Sequence, residues 1–239
     1  MIKLKQRGSV IVVVVMILFI VASVGAVAAR LSMVSTSLAS NGIAKRLMHQ
    51  EANVAMYYLK EYGDLIEKKK TTGVYGYASS MQNREVVFCY RGQNPNTFFS
   101  TSSVSVIYWP SGSSSPSNPN GKNGFCKFET SNPTYTSARN AVMTQISLRY
   151  TTETAASFTG DAAATGNVMA AYVTSVMPNM ALSNTSEGNV DFCLSTRMSN
   201  PTVPVGTTAS PTAQQSLTDC LESINVPYVT LKSKFLVPL

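Results

Sequence analysis

Histidine is almost missing from this chain: His49 is the only one in 239 residues, and none of the four cysteines stands in a CxxC pair. Zinc and thiol-redox motifs are built from such spacings, so neither chemistry is expected. Catalysis finds as little footing. His49 sits beside Gln50 and Glu51 with no nearby nucleophile, and Asp161, Glu187, Asp191 and Asp219 lie scattered without EF-hand or paired-carboxylate spacing. The expectation is a non-enzyme with no catalytic residue, no metal and no cofactor. Calcium held by carboxylates of the 184–191 loop is a weaker reading than ordinary turn chemistry. Asn184-Thr185-Ser186 fits the glycosylation sequon, a pattern short enough to arise by chance.

Charge is sparse, at 13% of residues, and it is unevenly placed. The formal net charge is +7, from 19 basic and 12 acidic residues; without Lys3, Lys5 and Arg7 it is 16 against 12, or +4. Much of the remaining excess lies in Arg30, Lys45, Arg46 and Lys68–Lys70. Such residues can meet anionic head groups or simply form a solvated helix face. The rest of the chain has no basic cluster interleaved with aromatics, so a nucleic-acid partner is not expected.

Between Gly8 and Arg30 charge is absent altogether. The run Ser9–Ala29 is 21 residues of apolar and small side chains. As a helix it spans roughly 30 Å, the thickness of a bilayer's hydrocarbon core. A secretory signal has a shorter apolar region followed by a small-residue cleavage site. Here the run is too long, and Gly8 precedes it. Three basic residues before the span predict a cytoplasmic N-terminus, with everything after Arg30 sent outward. Topology alone leaves two readings open. Either a basic leader is clipped and the helix stays in the product, or an uncleaved anchor holds an exported domain.

The junction Gln6-Arg7-Gly8-Ser9, followed by Val10–Val15, resembles the class III leader of type IV pilins and type II secretion pseudopilins. Ala29-Arg30, Ser35, Asn41 and the run His49–Ala55 extend the resemblance to minor pilins of the PilX type. The match covers Gln6 to Ala55, under a quarter of the chain. It implies cleavage between Gly8 and Ser9 by a prepilin peptidase, with N-methylation of Ser9. The family's fifth mature position is usually Glu, thought to pair with the amine of a neighbouring subunit; here it is Val13. A carboxylate in hydrocarbon is costly unless paired, and Val13 cannot form that pair. The resemblance therefore implies a first, tip-type position, although Val13 also reads as one more lipid-facing residue of an ordinary anchor.

Beyond the membrane the helix is expected to continue to about residue 70. Leu31, Val34 and Leu38, then Leu47, Val54, Tyr58, Tyr62, Leu65 and Ile66, keep helical spacing. Lys68–Lys70 suit a helix C-terminus, and Gly73 stops the pattern. Residues 32–37 and Asn41-Gly42 are poor helix formers and mark a possible bend. From residue 71 the composition turns to Ser, Thr, Asn, Gly and Pro with short β-rich runs. Strands are predicted at Arg84–Arg91, Ser103–Trp109, Gly124–Glu129 and Ala141–Thr152, with weaker ones at Val168–Val176 and Tyr228–Val237. Ala141–Thr152 alternates as a half-buried antiparallel strand would. Pro110–Lys122 reads as a turn-rich loop and Ala213–Ile224 as a short helix. The organisation is a leader (1–8), a long helix (9–70, spanning the membrane at 9–29) and a β-rich head (71–239).

Cys89, Cys126, Cys193 and Cys220 all lie in the exported part, where an even set points to disulfides. Three connectivities are possible. Cys89–Cys126 and Cys193–Cys220 are favoured, because each pair brackets a turn-rich insertion between structured elements. The second would resemble the disulfide-bounded C-terminal region of pilins.

The fold class expected is α+β and pilin-like: a long N-terminal transmembrane helix packed on an antiparallel sheet with disulfide-closed loops. The resemblance implies a minor pilin that primes pilus assembly and sits at or near the tip, supporting adhesion, twitching or DNA uptake. Its partners would be other minor pilins, the major pilin and the prepilin peptidase. It would occupy the inner membrane as a single-pass protein with its C-terminus outward, and then an extracellular pilus. Helix packing would be carried by Val10–Ala29, with Gly25, Ala26, Ala28 and Ala29 allowing close approach. A tip adhesin, a type II secretion pseudopilin and an uncleaved anchored domain are the alternatives.

Overall fold

A computed structural model describes residues 9–63, 73–81, 83–92, 99–128, 135–136, 141–180, 187–206 and 209–237. Two compact units divide it, Met1–Ala44 and Lys45–Leu239. The leader with Gly8 lies outside the described residues, as do 64–72 and the 184–186 sequon.

Helix α1 runs from Ser9 to Gly63. Residues 32–37 and Asn41-Gly42 stay helical, with no unwound stretch between them. Hydroxyls there bond back onto the helix: Thr36 Oγ1 donates to the Ser32 carbonyl, as Ser23 Oγ does to Ile20. Such bonds satisfy the hydroxyl on the helix's own backbone, at a slight cost to helix stability.

The second unit continues from α1 through α2 (Val74–Ser80), β1 (Glu85–Tyr90), β2 (Ser105–Ile107), β3 (Met143–Thr154), α3 (Ala155–Thr159), β4 (Asn167–Val176), α4 (Glu187–Thr196), α5 (Leu217–Ser223) and β5 (Tyr228–Val237). The strands form one sheet in the order β2-β1-β3-β4-β5, every neighbouring pair antiparallel. An N-terminal apolar helix, an antiparallel sheet and two disulfides make the chain α+β.

Strand alternation sorts side chains onto the sheet's two faces. On one face Val86, Phe88 and Tyr90 of β1, Ile146 and Leu148 of β3, and Met169, Ala171 and Val173 of β4 meet Ala52, Ala55 and Leu59 of α1. These helix positions recur at i, i+3 and i+7, one side of an α-helix. Two are alanines, which lets the helix backbone lie close to the strands. Tyr75 of α2 closes this core and donates its hydroxyl to the Leu59 carbonyl.

On the opposite face the structure departs from expectation. The alternation of β3 predicted burial on one side, yet Met143, Gln145 and Ser147 are as buried as Ile146 and Leu148. α4, α5 and both disulfides cover that side, in a core that includes Cys89, Cys126, Met143, Val190, Leu194, Leu217 and Leu221. Gly124–Glu129 is not a strand: its described part, to Phe128, is turn and loop. Gly124 approaches the sheet so closely that a Cβ would lie 2.1 Å from the Ser105 amide nitrogen. The Cys126 amide then donates to the Gln145 side chain instead of to a neighbouring strand. α5 is shorter than Ala213–Ile224, because Ser216 and Asp219 form a capping box that sets its start.

Candidate functional site

Among the described residues two places stand out: the apolar part of α1, and the covered face of the sheet. Within α1, Ile11–Met33 is long and apolar enough to cross a membrane, with a mean hydropathy of 3.1 and none of it buried. At 1.5 Å per residue its 23 residues reach about 34 Å. Ser9 opens the helix, and Val13 lies one turn on, 53% exposed. A Cβ added at Gly25 would meet nothing within 4 Å, so that flank is open to a close neighbour.

The covered face is organised by disulfides and two polar side chains. Cys89 is bonded to Cys126 with Cα atoms 4.8 Å apart, and Cys193 to Cys220 at 5.7 Å. Of the three possible connectivities, these are the two pairs favoured from their spacing. They close segments of 37 and 27 residues. Chain-entropy reasoning gives each about 3.5–4 kcal/mol. Gln145 joins the two regions: its Oε1 accepts from the Cys126 amide, and its Nε2 donates to the Leu194 carbonyl, both at 3.2 Å.

The second polar side chain is Glu85, fully buried on β1. Its Oε2 accepts from the Ser199 amide and from Ser147 Oγ, and its Oε1 accepts from the Asn200 amide, each at 2.8 Å. Arg149, directly opposite on β3, donates Nη1 to the Asn200 carbonyl. One carboxylate thus pins the segment after α4 to the sheet. Burial pushes the Glu85 carboxyl above its ordinary range, against the lowering effect of Asn200, Ser199, Ser147 and Arg149. Burial also lowers the Arg197 guanidinium, which donates Nη1 to the Ala213 carbonyl.

Sequence reasoning passed over Glu85, Gln145 and Arg197. Glu85 did carry a signal: it shares parity with Val87 and Cys89 in a run otherwise apolar, so it had to point into one of the two faces. His49 pairs with Asn53 on an exposed turn of α1. Asp191 Oδ1 accepts from the Phe128 amide, and Asp219 caps α5. Asp161 accepts from the Ala163 amide, a local turn bond. Phe99 packs on Phe88, and Trp109 and Phe125 are buried. Among the described residues no three His, Cys, Asp or Glu side chains cluster as metal ligands. Compared with protein-family models, curated proteins and solved structures, the chain matches none.

Proposed function

We propose that the chain is a minor pilin of the PilX type, a subunit that primes assembly of a type IV pilus and stays at or near its tip. The observation that carries this reading is α1 itself. A single uninterrupted helix holds an unburied apolar span at Ile11–Met33 and, in its later turns, supplies Ala52, Ala55 and Leu59 to the core of an α+β head. The leader junction at Gly8-Ser9 adds to it.

In this reading a prepilin peptidase cuts after Gly8, and Ser9 becomes the methylated first residue. The subunit waits in the inner membrane with its head outside. It then joins other minor pilins and the major pilin by helix packing. Lipid tails are as apolar as the helix, so association rests on close van der Waals fit, favoured along Gly25, Ala26, Ala28 and Ala29. Val13, lacking the carboxylate that would pair with a neighbour's amine, suits a subunit that starts the fibre.

Deletion of the chain tests the assembly role. Loss of surface pili, restored by the intact chain, supports it. Normal pili without attachment would transfer the role to a tip adhesin, and normal pili with normal attachment would leave a tethered domain.

A further inference from the structure

A recess of about 350 Å³ opens on the covered face of the head, between α4 and the loop that carries Cys126. Its lining is Lys122, Phe125, Cys126, Lys127, Asp191, Phe192 and Ser195. That volume lies at the lower end of the range for small-ligand sites, enough for one or two sugar rings.

Its walls are held in place from several directions. Phe125 and Cys126 form a buried floor, fastened by the Cys89–Cys126 bond. Gln145 ties that floor to α4. The Phe128 amide donates to Asp191 Oδ1 at 2.7 Å, and Asn118 Nδ2 donates to the Ser195 carbonyl at 2.7 Å. A site braced in this way loses little freedom when it binds.

Two features of the lining point to a ligand class. Phe192 is 51% exposed on a helix whose Val190, Cys193 and Leu194 are buried. It is braced by Arg197, whose guanidinium lies 5.2 Å from the ring centroid. An aromatic ring held this way offers an apolar platform for the C–H face of a pyranose. The same lining carries two lysines, Lys122 and Lys127, against one carboxylate, Asp191, whose Oδ1 is taken by the Phe128 amide. The excess is one positive charge, and an ammonium donates without accepting, so the lining favours a carboxylate at Lys122 over a neutral or cationic group. Asn118 Oδ1 and Arg197 Nε, on the two residues that brace the site, are buried with no hydrogen-bond partner among the described residues.

We infer that this recess binds a carboxylated sugar, its ring against Phe192 and its carboxylate toward Lys122. The shared chemistry is a pyranose acid, whether a uronic acid within a polymer or a terminal sialic acid. The inference concerns the head and does not depend on the helix entering a fibre.

The test is calorimetric titration of the full chain in detergent with tri-galacturonate, 3′-sialyllactose, maltotriose and a short poly-glutamate. Binding of at least one acidic sugar, with neither maltotriose nor poly-glutamate bound comparably, supports the inference; which acidic sugar binds separates the two sources. Phe192→Ala and Lys122→Ala should each weaken that binding about tenfold or more. Lys122→Arg should retain most of it, and Lys232→Ala, on β5, should leave it unchanged. Circular dichroism of each variant checks that the head remains folded. No binding of either acidic sugar at millimolar concentration overturns the inference. So does equal binding of maltotriose, equal binding of poly-glutamate, or full affinity in folded Phe192→Ala.

Discussion

The Ser199 amide donates to Glu85 Oε2 at 2.8 Å across 114 positions of sequence, and Asn200 does the same to Oε1. This carboxylate is the point at which the segment following α4 is fastened to the central part of the sheet. Its removal strands three donors rather than merely deleting one group.

Glu85→Gln keeps the shape but replaces one accepting oxygen with an NH2 donor facing an amide or a hydroxyl. The expected loss is about 1–3 kcal/mol in denaturant unfolding, the cost of leaving a buried donor unmet. Amide exchange at Ser199 and Asn200 should accelerate together. Unchanged exchange at both would mean that the bonds do not hold this segment.

The same group gives a pH dependence whose sign follows from burial. The folded carboxyl is raised above its ordinary value of 4.5, so the folded state holds its proton more tightly than the unfolded chain does. Its contribution to stability is therefore greatest below 4.5 and declines as pH rises from there through the raised folded value. Thermal melts of the native chain and Glu85→Gln at several pH values isolate it. The stability difference in favour of Glu85 should shrink across that window, and a difference that grows would reverse the assignment.

Gly124 is required by space. A Cβ there would lie 2.1 Å from the Ser105 nitrogen and 2.4 Å from the Val87 oxygen, both backbone atoms that cannot rotate aside. Gly124→Ala should cost about 3 kcal/mol or more, beyond the usual range for overpacking, or prevent folding. Gly206→Ala serves as a comparison, since nothing lies within 4 Å of its Cβ position although its φ of +83° carries a conformational cost. A folded Gly124→Ala head as stable as the native one would contradict the close approach.

Replacing Cys193 and Cys220 together by serine should destabilise the head by about 2–5 kcal/mol. α5 and the loop before it would show the largest rise in hydrogen exchange. The Cys89–Cys126 region, held by its own disulfide and by the pairing of β1 with β3, should be less affected. Equal loosening of both regions would show that the two disulfides act as one unit.

Much of this architecture was legible because it rests on local pattern. The charge-free run before Arg30 stands out by length alone, and Arg84–Arg91 and Tyr228–Val237 align with β1 and β5 because apolar runs bounded by turn residues are short-range signals. The double burial of β3 was not legible. Gln145 and Ser147 read as solvent-facing until their partners are seen: Leu194 lies 49 positions from Gln145, and Glu85 lies 62 from Ser147. Gly124–Glu129 failed for a related reason. A side chain from β3 takes the Cys126 amide that a neighbouring strand would otherwise have claimed. The recess at Phe192 was likewise hidden, since Lys122 and Phe192 stand 70 positions apart in the chain.

The N-terminus of the mature protein bears most directly on the central claim. Intact-mass and N-terminal peptide analysis of chain extracted from membranes or sheared pili should find it starting at Ser9, with one methyl group on the amine. A protein that still carries Met1–Gly8 would contradict the pilin reading and leave an anchored domain in its place.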